Sequence, residues 1–205
     1  MTVSWHKQGS CGFVELNNPP VNAINHVIRQ GLSEAVAWAE SQQLSRVIVS
    51  GAGAAFAAGA DAGEFDAPPE APHLPDVLQQ IEKSPVPWIA ALHGAVLGGG
   101  AELALACRYL LARVDASIGF PEVMLGVVPG AGVTQRLPRL VGMIAALRLI
   151  STGRPISGDA AQQMGLVDAN CDDPLGSAMQ VTDDRLAQAV PVAERAVDSH
   201  GDAGF

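Results

Sequence analysis

Residues 93–108 read HGAVLGGGAELALACR, and this stretch decides the fold. The apolar run WIAALH at 88–93 overlaps its start and is typical of a buried strand. Three glycines, Gly98 to Gly100, then lead into AELALAC at 101–107, which is rich in strong helix formers. Backbone N–H groups at such a helix start have no intrahelical partner and no side chain to cover them. The stretch therefore predicts a strand, a turn rich in hydrogen-bond donors and a helix in succession.

The same order of strand, loop and helix recurs on both sides of this stretch. It predicts an α/β fold, with a parallel sheet that carries helices on its faces. A glycine-rich loop is predicted at 51–64. The acidic, proline-rich segment 64–75 is expected to be mobile, because it has few apolar side chains to bury. The predicted strands cover residues 12–16, 46–50, 88–93 and 109–112, and the predicted helices cover 25–40, 77–82, 101–107, 144–151 and 157–164.

The composition limits the class of protein. A chain of 205 residues, 48% hydrophobic and 16% charged, is long enough for one domain with a sizeable core. The net charge of −9, without basic clusters, argues against nucleic-acid binding, although backbone N–H groups and single arginines can still hold a phosphorylated ligand. No apolar run reaches the roughly 20 residues of a membrane span, so we expect no membrane association.

The three cysteines indicate a reducing compartment. Cys11, Cys107 and Cys171 are odd in number and lack the spacing of metal ligands, which indicates free thiols. The first ten residues, MTVSWHKQGS, contain no apolar signal core. We therefore expect a cytoplasmic protein.

Two loops offer backbone donors. AAGADAGE at 57–64 follows a predicted strand, and its small residues let the backbone approach a ligand; a tight turn in an alanine-rich chain explains the same pattern. GAGAAF at 51–56 begins like a dinucleotide-binding fingerprint, but the third glycine position is Phe56, which is too bulky for close packing of helix on strand. We reject a dinucleotide site there.

Two glutamates lie next to glycine-rich segments. Glu102 is in the first turn of the helix after the three glycines, where it serves either catalysis beside an oxyanion site or the helix dipole. Glu122 follows Pro121 and precedes GVVPGAG at 126–132, where apolar surroundings raise a carboxyl pKa; it also suits the start of a helix. Each glutamate alone leaves both interpretations open, and the two donor loops with both glutamates together favour catalysis.

These residues resemble the crotonase (enoyl-CoA hydratase/isomerase) superfamily, whose motifs occur here in family order. The resemblance implies a crotonase-like spiral of repeated ββα units with peripheral helices. It implies a catalytic core at 1–171 and a partial C-terminal helical extension at 172–205, which is shorter than in the family. The motifs are NPPVNA at 18–23, FAAGAD at 56–61, HGAVLGGGAELALACR at 93–108, FPEVMLGVVPGAGVTQRLPRLVG at 120–142 and SGDAAQQMGLVD at 157–168.

The resemblance also implies roles for single residues. The N–H groups of Ala60 and Gly99 would bind a thioester oxygen, Glu102 would take a proton from water, and Glu122 would deliver one to the α-carbon. Gly130 would supply a backbone donor near that water. No metal or redox cofactor is implied, because CoA is part of the substrate. Further contacts to the CoA moiety are implied at Ala23, Ala58, Asp61 and Ala62.

The implied function is hydration of 2-trans-enoyl-CoA to 3-hydroxyacyl-CoA in fatty-acid β-oxidation, with Δ3-Δ2 enoyl-CoA isomerase as a further activity. The core motifs look closest to the hydratase portion of multifunctional β-oxidation enzymes. We therefore expect fusion to a 3-hydroxyacyl-CoA dehydrogenase, or a homo-oligomer (trimer or hexamer) if the chain stands alone.

Alternatives remain open at this point. Thioester hydrolysis or decarboxylation on the same scaffold, and a non-catalytic acyl-CoA-binding module, both fit the donor loops, although the paired glutamates argue against the first. Arg136 and Arg139 could each serve structure, phosphate binding or a subunit contact.

Overall fold

The computed structural model of the protein describes residues 2–64, 68 and 70–197. Within them, two sheets are surrounded by helices. The strands are β1 (Val3–Gln8), β2 (Cys11–Leu16), β3 (Arg46–Gly51), β4 (Ala55–Ala58), β5 (Trp88–Leu92), β6 (Ala95–Leu97), β7 (Tyr109–Ala112), β8 (Ser117–Gly119), β9 (Ile156–Ser157) and β10 (Ala169–Asn170). The α-helices are α1 (His26–Ser41), α2 (Leu74–Lys83), α3 (Gly99–Ala106), α4 (Val133–Val141), α5 (Met143–Thr152), α6 (Gly158–Gln163), α7 (Pro174–Met179) and α8 (Asp183–Gln188).

The strands alternate between the two sheets. The larger sheet has the order β1-β2-β3-β5-β7-β10, and only its β1–β2 pair is antiparallel. The smaller sheet has the order β4-β6-β8-β9, with β4, β6 and β8 parallel. After β3, β5 and β7 in the larger sheet, the chain adds β4, β6 and β8 to the smaller one. This repetition confirms the predicted α/β spiral of ββα units.

Most of the predicted elements are present, with two corrections. β2, β3, β5 and β7 and helices α1, α2, α5 and α6 lie where the sequence predicts them. The segment 51–64 is not a continuous loop, because β4 lies inside it. Helix α3 begins at Gly99, within the glycine run rather than after it. The expected mobility of 64–75 falls partly on residues outside the description, and its last two residues already belong to α2.

The side chains of β3 alternate between two apolar cores, as a strand buried on both faces requires. Val47 and Val49 lie in the core shared with α1 and α2. Ile48 lies in a second core on the opposite face, together with Ala178 of α7. Helices α7 and α8 thus cover one face of the larger sheet. The predicted boundary after residue 171 stays a prediction.

None of the helices in the described part of the chain has both the length and the apolar character needed to cross a membrane.

The buried side chain of Asn22 fixes the segment just before β4. Asn22 has a φ of 55°, in the left-handed region that asparagine tolerates better than most residues. Its Nδ2 donates to the carbonyl oxygens of Ala52 at 2.9 Å, Ala55 at 2.8 Å and Phe56 at 3.2 Å. Its Oδ1 accepts from the Asn18 N–H at 2.9 Å. One amide therefore holds the NPPVNA turn against the start of β4.

We expect Asn22→Ala to lower the free energy of unfolding by about 2–3 kcal/mol, because it leaves buried carbonyls without a donor. Urea denaturation followed by circular dichroism measures this difference. Asn17→Ala, at an exposed position, is the matched control and should change stability by less than about 0.5 kcal/mol. Equal stability of the two variants would contradict the role assigned to Asn22.

Candidate active site

Two backbone loops meet where β4 and β6 end. These strands are parallel neighbours, so their carboxyl ends lie at the same edge of the smaller sheet. The N–H of Gly59 donates to the carbonyl of Leu97 at 2.7 Å, which joins the two loops directly. Gly59 has a φ of 82° and Gly98 a φ of 51°, so both turns need glycine.

The N–H of Ala60 is left free by its neighbours. The carbonyl of Gly59 accepts from the Ile24 N–H at 2.9 Å, and the N–H of Asp61 donates to the Ile24 carbonyl at 3.2 Å. Ala60 lies between these two bonds, and its N–H has no acceptor among the described residues. The pairing with Ile24 therefore holds the peptide of Ala60 in place without using its donor.

The N–H of Gly99 likewise has no acceptor in the part of the chain that the structure describes. The N–H of Gly98 donates to the Gly119 carbonyl at 2.9 Å, and the Glu102 N–H donates to the Gly98 carbonyl at 2.9 Å. Gly99 is the first residue of α3, where a donor has no intrahelical acceptor. A Cβ atom on Gly99 would lie 3.8 Å from the Ala60 nitrogen. The two free donors are thus adjacent, as an oxyanion hole requires.

The carboxylate of Glu102 comes from the first turn of α3, and the residue is only 3% exposed. Its Oε1 accepts the N–H of Ala131 at 2.8 Å and the N–H of Val133 at 3.1 Å. The pKa of Glu102 is raised to about 7, chiefly by burial and to a smaller degree by the charge of Glu122, while the two backbone hydrogen bonds and the charge of Arg136 oppose the rise. Glu102 therefore titrates near neutral pH.

The carboxylate of Glu122 comes from the 3₁₀-helix Pro121–Leu125. Its Oε2 is buried and has no hydrogen-bond partner in the part of the chain that the structure describes. A Cβ atom on Gly98 would lie 3.2 Å from its Oε1, so glycine at this position lets the carboxylate approach the donor loop. Burial also raises the pKa of Glu122. A half-buried carboxyl with one unpartnered oxygen, close enough to Glu102 for its charge to raise the pKa of Glu102, is suited to proton transfer.

These groups line one cleft of about 1080 Å³, which is large enough for a small-molecule ligand. Its walls carry the two donor loops and both glutamates. Apolar side chains complete them, notably Leu74, Leu97, Leu125, Val127 and Val128.

The model of the enoyl-CoA hydratase/isomerase family matches residues 6–204 of the chain. The chain belongs to this family. Among solved structures, the enoyl-CoA hydratase from Bacillus anthracis resembles it with a TM-score of 0.83 and 33% identity, over 93% of this chain and 78% of that one.

The relatives of known sequence differ in length, and the matched region is a different share of each. The peroxisomal bifunctional enzyme of Danio rerio is 45% identical over 160 residues, which are 78% of this chain but 22% of that protein. The probable enoyl-CoA hydratase of Bacillus subtilis (strain 168) is 44% identical over 77% of this chain and 64% of that protein. The enoyl-CoA isomerase/hydratase fer4 of Mycosarcoma maydis is 41% identical over 77% of this chain and 60% of its own length. The chain thus spans less than two thirds of each of these three relatives.

Most residues that the family resemblance implied converge on the cleft. The four proposed catalytic positions, Ala60, Gly99, Glu102 and Glu122, all line it, and their roles stay predictions. So do three of the implied contact residues: Ala58, Asp61 and Gly130.

The structure does not place two of the implied CoA contacts, Ala23 and Ala62, on the wall of the cleft. Ala23 is not among the cleft-lining residues, and its carbonyl accepts from the Asn18 side chain at 2.8 Å. Its neighbour Ile24 is the residue that pairs with Ala60. Ala62 begins the 3₁₀-helix Ala62–Glu64, and its side chain lies outside the description.

Sequence reasoning missed a buried arginine at the mouth of the cleft. Arg29 donates to Glu64 at 2.6 Å, to the Pro72 carbonyl at 2.8 Å and to the Glu70 carbonyl at 3.2 Å. It thereby ties helix α1 to the chain segment that walls the cleft. Its burial was indicated in the sequence by its place directly after Ile28, on the apolar face of the predicted helix.

The raised pKa of Glu102 makes stability depend on pH. The folded protein keeps a proton on Glu102 up to about pH 7, whereas the unfolded chain loses it near 4.5, so stability falls as pH rises through this window. We expect the free energy of unfolding of the native protein to fall by about 3 kcal/mol more than that of Glu102→Gln between pH 4.5 and pH 8. Urea denaturation at each pH measures it.

Glu34→Gln, which changes an exposed carboxylate on α1, is the matched control and should follow the native pH dependence. A native protein and a Glu102→Gln variant with parallel pH profiles would rule out the buried titration.

Proposed function

We propose that this chain hydrates 2-trans-enoyl-CoA thioesters to 3-hydroxyacyl-CoA in fatty-acid β-oxidation. The observation that carries the proposal is the convergence of Glu102 and Glu122 on one cleft with the free N–H groups of Ala60 and Gly99. The names of the hydratase relatives and of the related structures support it. CoA enters as part of the substrate, and the proposed reaction uses no cofactor.

The two free N–H groups supply the electrophilic half of the reaction. They donate to the thioester oxygen, where negative charge develops when a nucleophile attacks the conjugated double bond. One such donor contributes roughly 3 kcal/mol to the stability of the transition state, because it is already oriented. Polarisation towards this oxygen makes the β-carbon electrophilic.

The two glutamates supply the proton transfers. Glu102, whose Oε1 is held by two backbone N–H groups, takes a proton from water as the water oxygen bonds to the β-carbon. Glu122, whose Oε2 is free of partners, gives its proton to the α-carbon. The enzyme then carries the proton on Glu102 instead of Glu122, and exchange with solvent restores the starting state. The sum of these steps is the addition of one water molecule.

A carboxylate pair restricts how many charges the cleft can hold. The charge of Glu122 raises the pKa of Glu102, and burial raises the pKa of both carboxyls. When the two carboxyls together carry one proton, they provide one base and one acid. The proposed reaction requires this combination.

A second activity at the same site is Δ3-Δ2 isomerisation of enoyl-CoA. Moving the double bond needs the same stabilised enolate and a carboxylate that removes one proton and returns it elsewhere. The Mycosarcoma maydis relative, named as an isomerase/hydratase, supports this activity. Hydrolysis, decarboxylation and a purely binding role use the donor loops but leave one or both glutamates without a task.

The comparison with relatives also supports proposals about the partners of the whole protein. The relatives named bifunctional support a further catalytic portion, and we propose a 3-hydroxyacyl-CoA dehydrogenase, which would consume the product of hydration. A homo-oligomer, trimer or hexamer, is the proposal for a chain that stands alone. A cytoplasmic location stays a prediction.

We expect Glu102→Gln and Glu122→Gln each to lower the rate of crotonyl-CoA hydration by about 10² to 10⁴-fold, because glutamine keeps the shape but cannot transfer the proton. Loss of enoyl-thioester absorbance measures the rate. Calorimetry with butyryl-CoA, which has no double bond to hydrate, should show binding within a few-fold of the native protein.

Glu15→Gln, at an exposed position on β2, is the control and should keep the native rate. Near-native hydration by either cleft variant would remove that glutamate from the mechanism. A native protein that binds butyryl-CoA without hydrating crotonyl-CoA would favour the binding module instead.

A further inference from the structure

A three-residue turn holds the carboxylate of Glu102. The N–H groups of Ala131 and Val133 both donate to Glu102 Oε1, at 2.8 Å and 3.1 Å. The peptide between them, which joins Ala131 to Gly132, presents its carbonyl oxygen instead. The direction of this middle peptide therefore decides whether both flanking N–H groups can reach one oxygen atom.

Arg136 holds that middle peptide. Its Nη1 donates to the Ala131 carbonyl at 2.8 Å, and the residue is only 8% exposed. Arg136 belongs to the first turns of α4, the helix that the turn begins. The same short segment thus binds Glu102 through its N–H groups and the guanidinium through its carbonyl.

Gly132 makes this arrangement sterically possible. Its φ of 107° lies in the region that favours glycine. A Cβ atom there would also lie 2.4 Å from Arg136 Nη1, so a side chain would displace the guanidinium. The VPGAGV segment therefore contains a glycine at the position where both the backbone and Arg136 require one.

Glu82 fixes the guanidinium from another helix. Its Oε1 accepts from Arg136 Nε at 3.1 Å and its Oε2 accepts from Nη2 at 3.0 Å, which is the two-pronged geometry that orients an arginine best. Both side chains are almost buried, at 10% and 12% exposure. Glu82 lies near the end of α2, whose first residue, Leu74, faces Gly99 of the donor loop.

We propose that Arg136, oriented by Glu82, is a positioning residue that fixes the 131–133 turn and thereby the proton-accepting carboxylate of Glu102. This inference rests on the proposed function for the role of Glu102. It takes Arg136 out of the open alternatives of phosphate binding and subunit contact. Arg139, whose Nη1 donates to the Gln135 carbonyl on its own helix, makes no such link.

The charges that face Glu102 predict how its titration changes when Arg136 is replaced. Glu122, from the 3₁₀-helix, raises the pKa of Glu102, whereas Arg136, from α4, lowers it. Glu82, from α2, faces the guanidinium and compensates part of its charge. Weakening the Arg136 link therefore moves the titration of Glu102 to higher pH, and the ionised base becomes available only in more alkaline solution.

The test compares Arg136→Met, Arg136→Lys and Glu82→Gln with the control Arg139→Lys on the same helix. We expect kcat for crotonyl-CoA hydration to fall on the order of 100-fold in Arg136→Met, because the base is misplaced. KM should change by no more than about threefold, and the acid limb of the kcat profile should move to higher pH. Arg136→Lys should show smaller changes of the same kind. Glu82→Gln should show a smaller fall of kcat without the move to higher pH, because it leaves the positive charge of Arg136 in place, and the control should show no change.

Carboxyl-carbon NMR of protein labelled at glutamate, with the Glu102 signal assigned by its loss in Glu102→Gln, reports the same titration without catalysis. An upward shift of the Glu102 midpoint in the folded Arg136 variants supports the positioning role even if the native protein proves inactive, in which case only the proposed hydration fails. Folded variants with the native midpoint and native kcat would overturn the inference. If Arg136→Met does not fold, Arg136→Lys decides by both readouts and Glu82→Gln by kcat.

Discussion

The hydrogen bond from the Gly59 N–H to the Leu97 carbonyl is the contact on which the site depends. It continues the parallel pairing of β4 with β6 by one residue beyond β4, into the turn that carries Ala60. Because parallel strands end at the same edge, the chain leaves both strands there, once into the Ala60 turn and once into α3. The adjacency of the Ala60 and Gly99 donors is thus a consequence of strand pairing, with no direct bond between them.

The same close packing explains the electrostatics of the cleft. A Cβ atom on Gly100 would lie 2.2 Å from the Ala57 carbonyl, so α3 rests directly on the backbone of β4. All eight residues of α3 are buried as a result, including Glu102. A carboxyl removed from water in this way is easier to protonate, and the two N–H groups of the 131–133 turn, together with the charge of Arg136, favour its ionised form. Backbone packing therefore brings the carboxyl pKa close to neutral.

The sequence predicted those elements that depend on interactions between residues close together in the chain. The buried strands β3 and β5 are apolar runs, and the Asn25 side chain caps α1 through the Ile28 N–H as expected. β4 and β6 were missed because three or four small residues beside glycine carry no periodic signal. Motif order found Glu102 and Glu122, but the partners of Asn22 and Arg136 lie roughly 30 and 54 residues away, where no pattern of spacing reveals them.

The pairing of Arg136 with Glu82 also accounts for the balance of charge around the proposed acid and base. The guanidinium of Arg136 pairs with Glu82 and lowers the pKa of Glu102, and Glu102 in turn faces the charge of Glu122. Since Glu82 takes both prongs of Arg136, the arginine orients the turn while only partly compensating the charge on Glu102. An arginine bound directly to Glu102 would lower its pKa and leave no shared proton near neutral pH. Holding the arginine one peptide away keeps the carboxylate in place and the proton available.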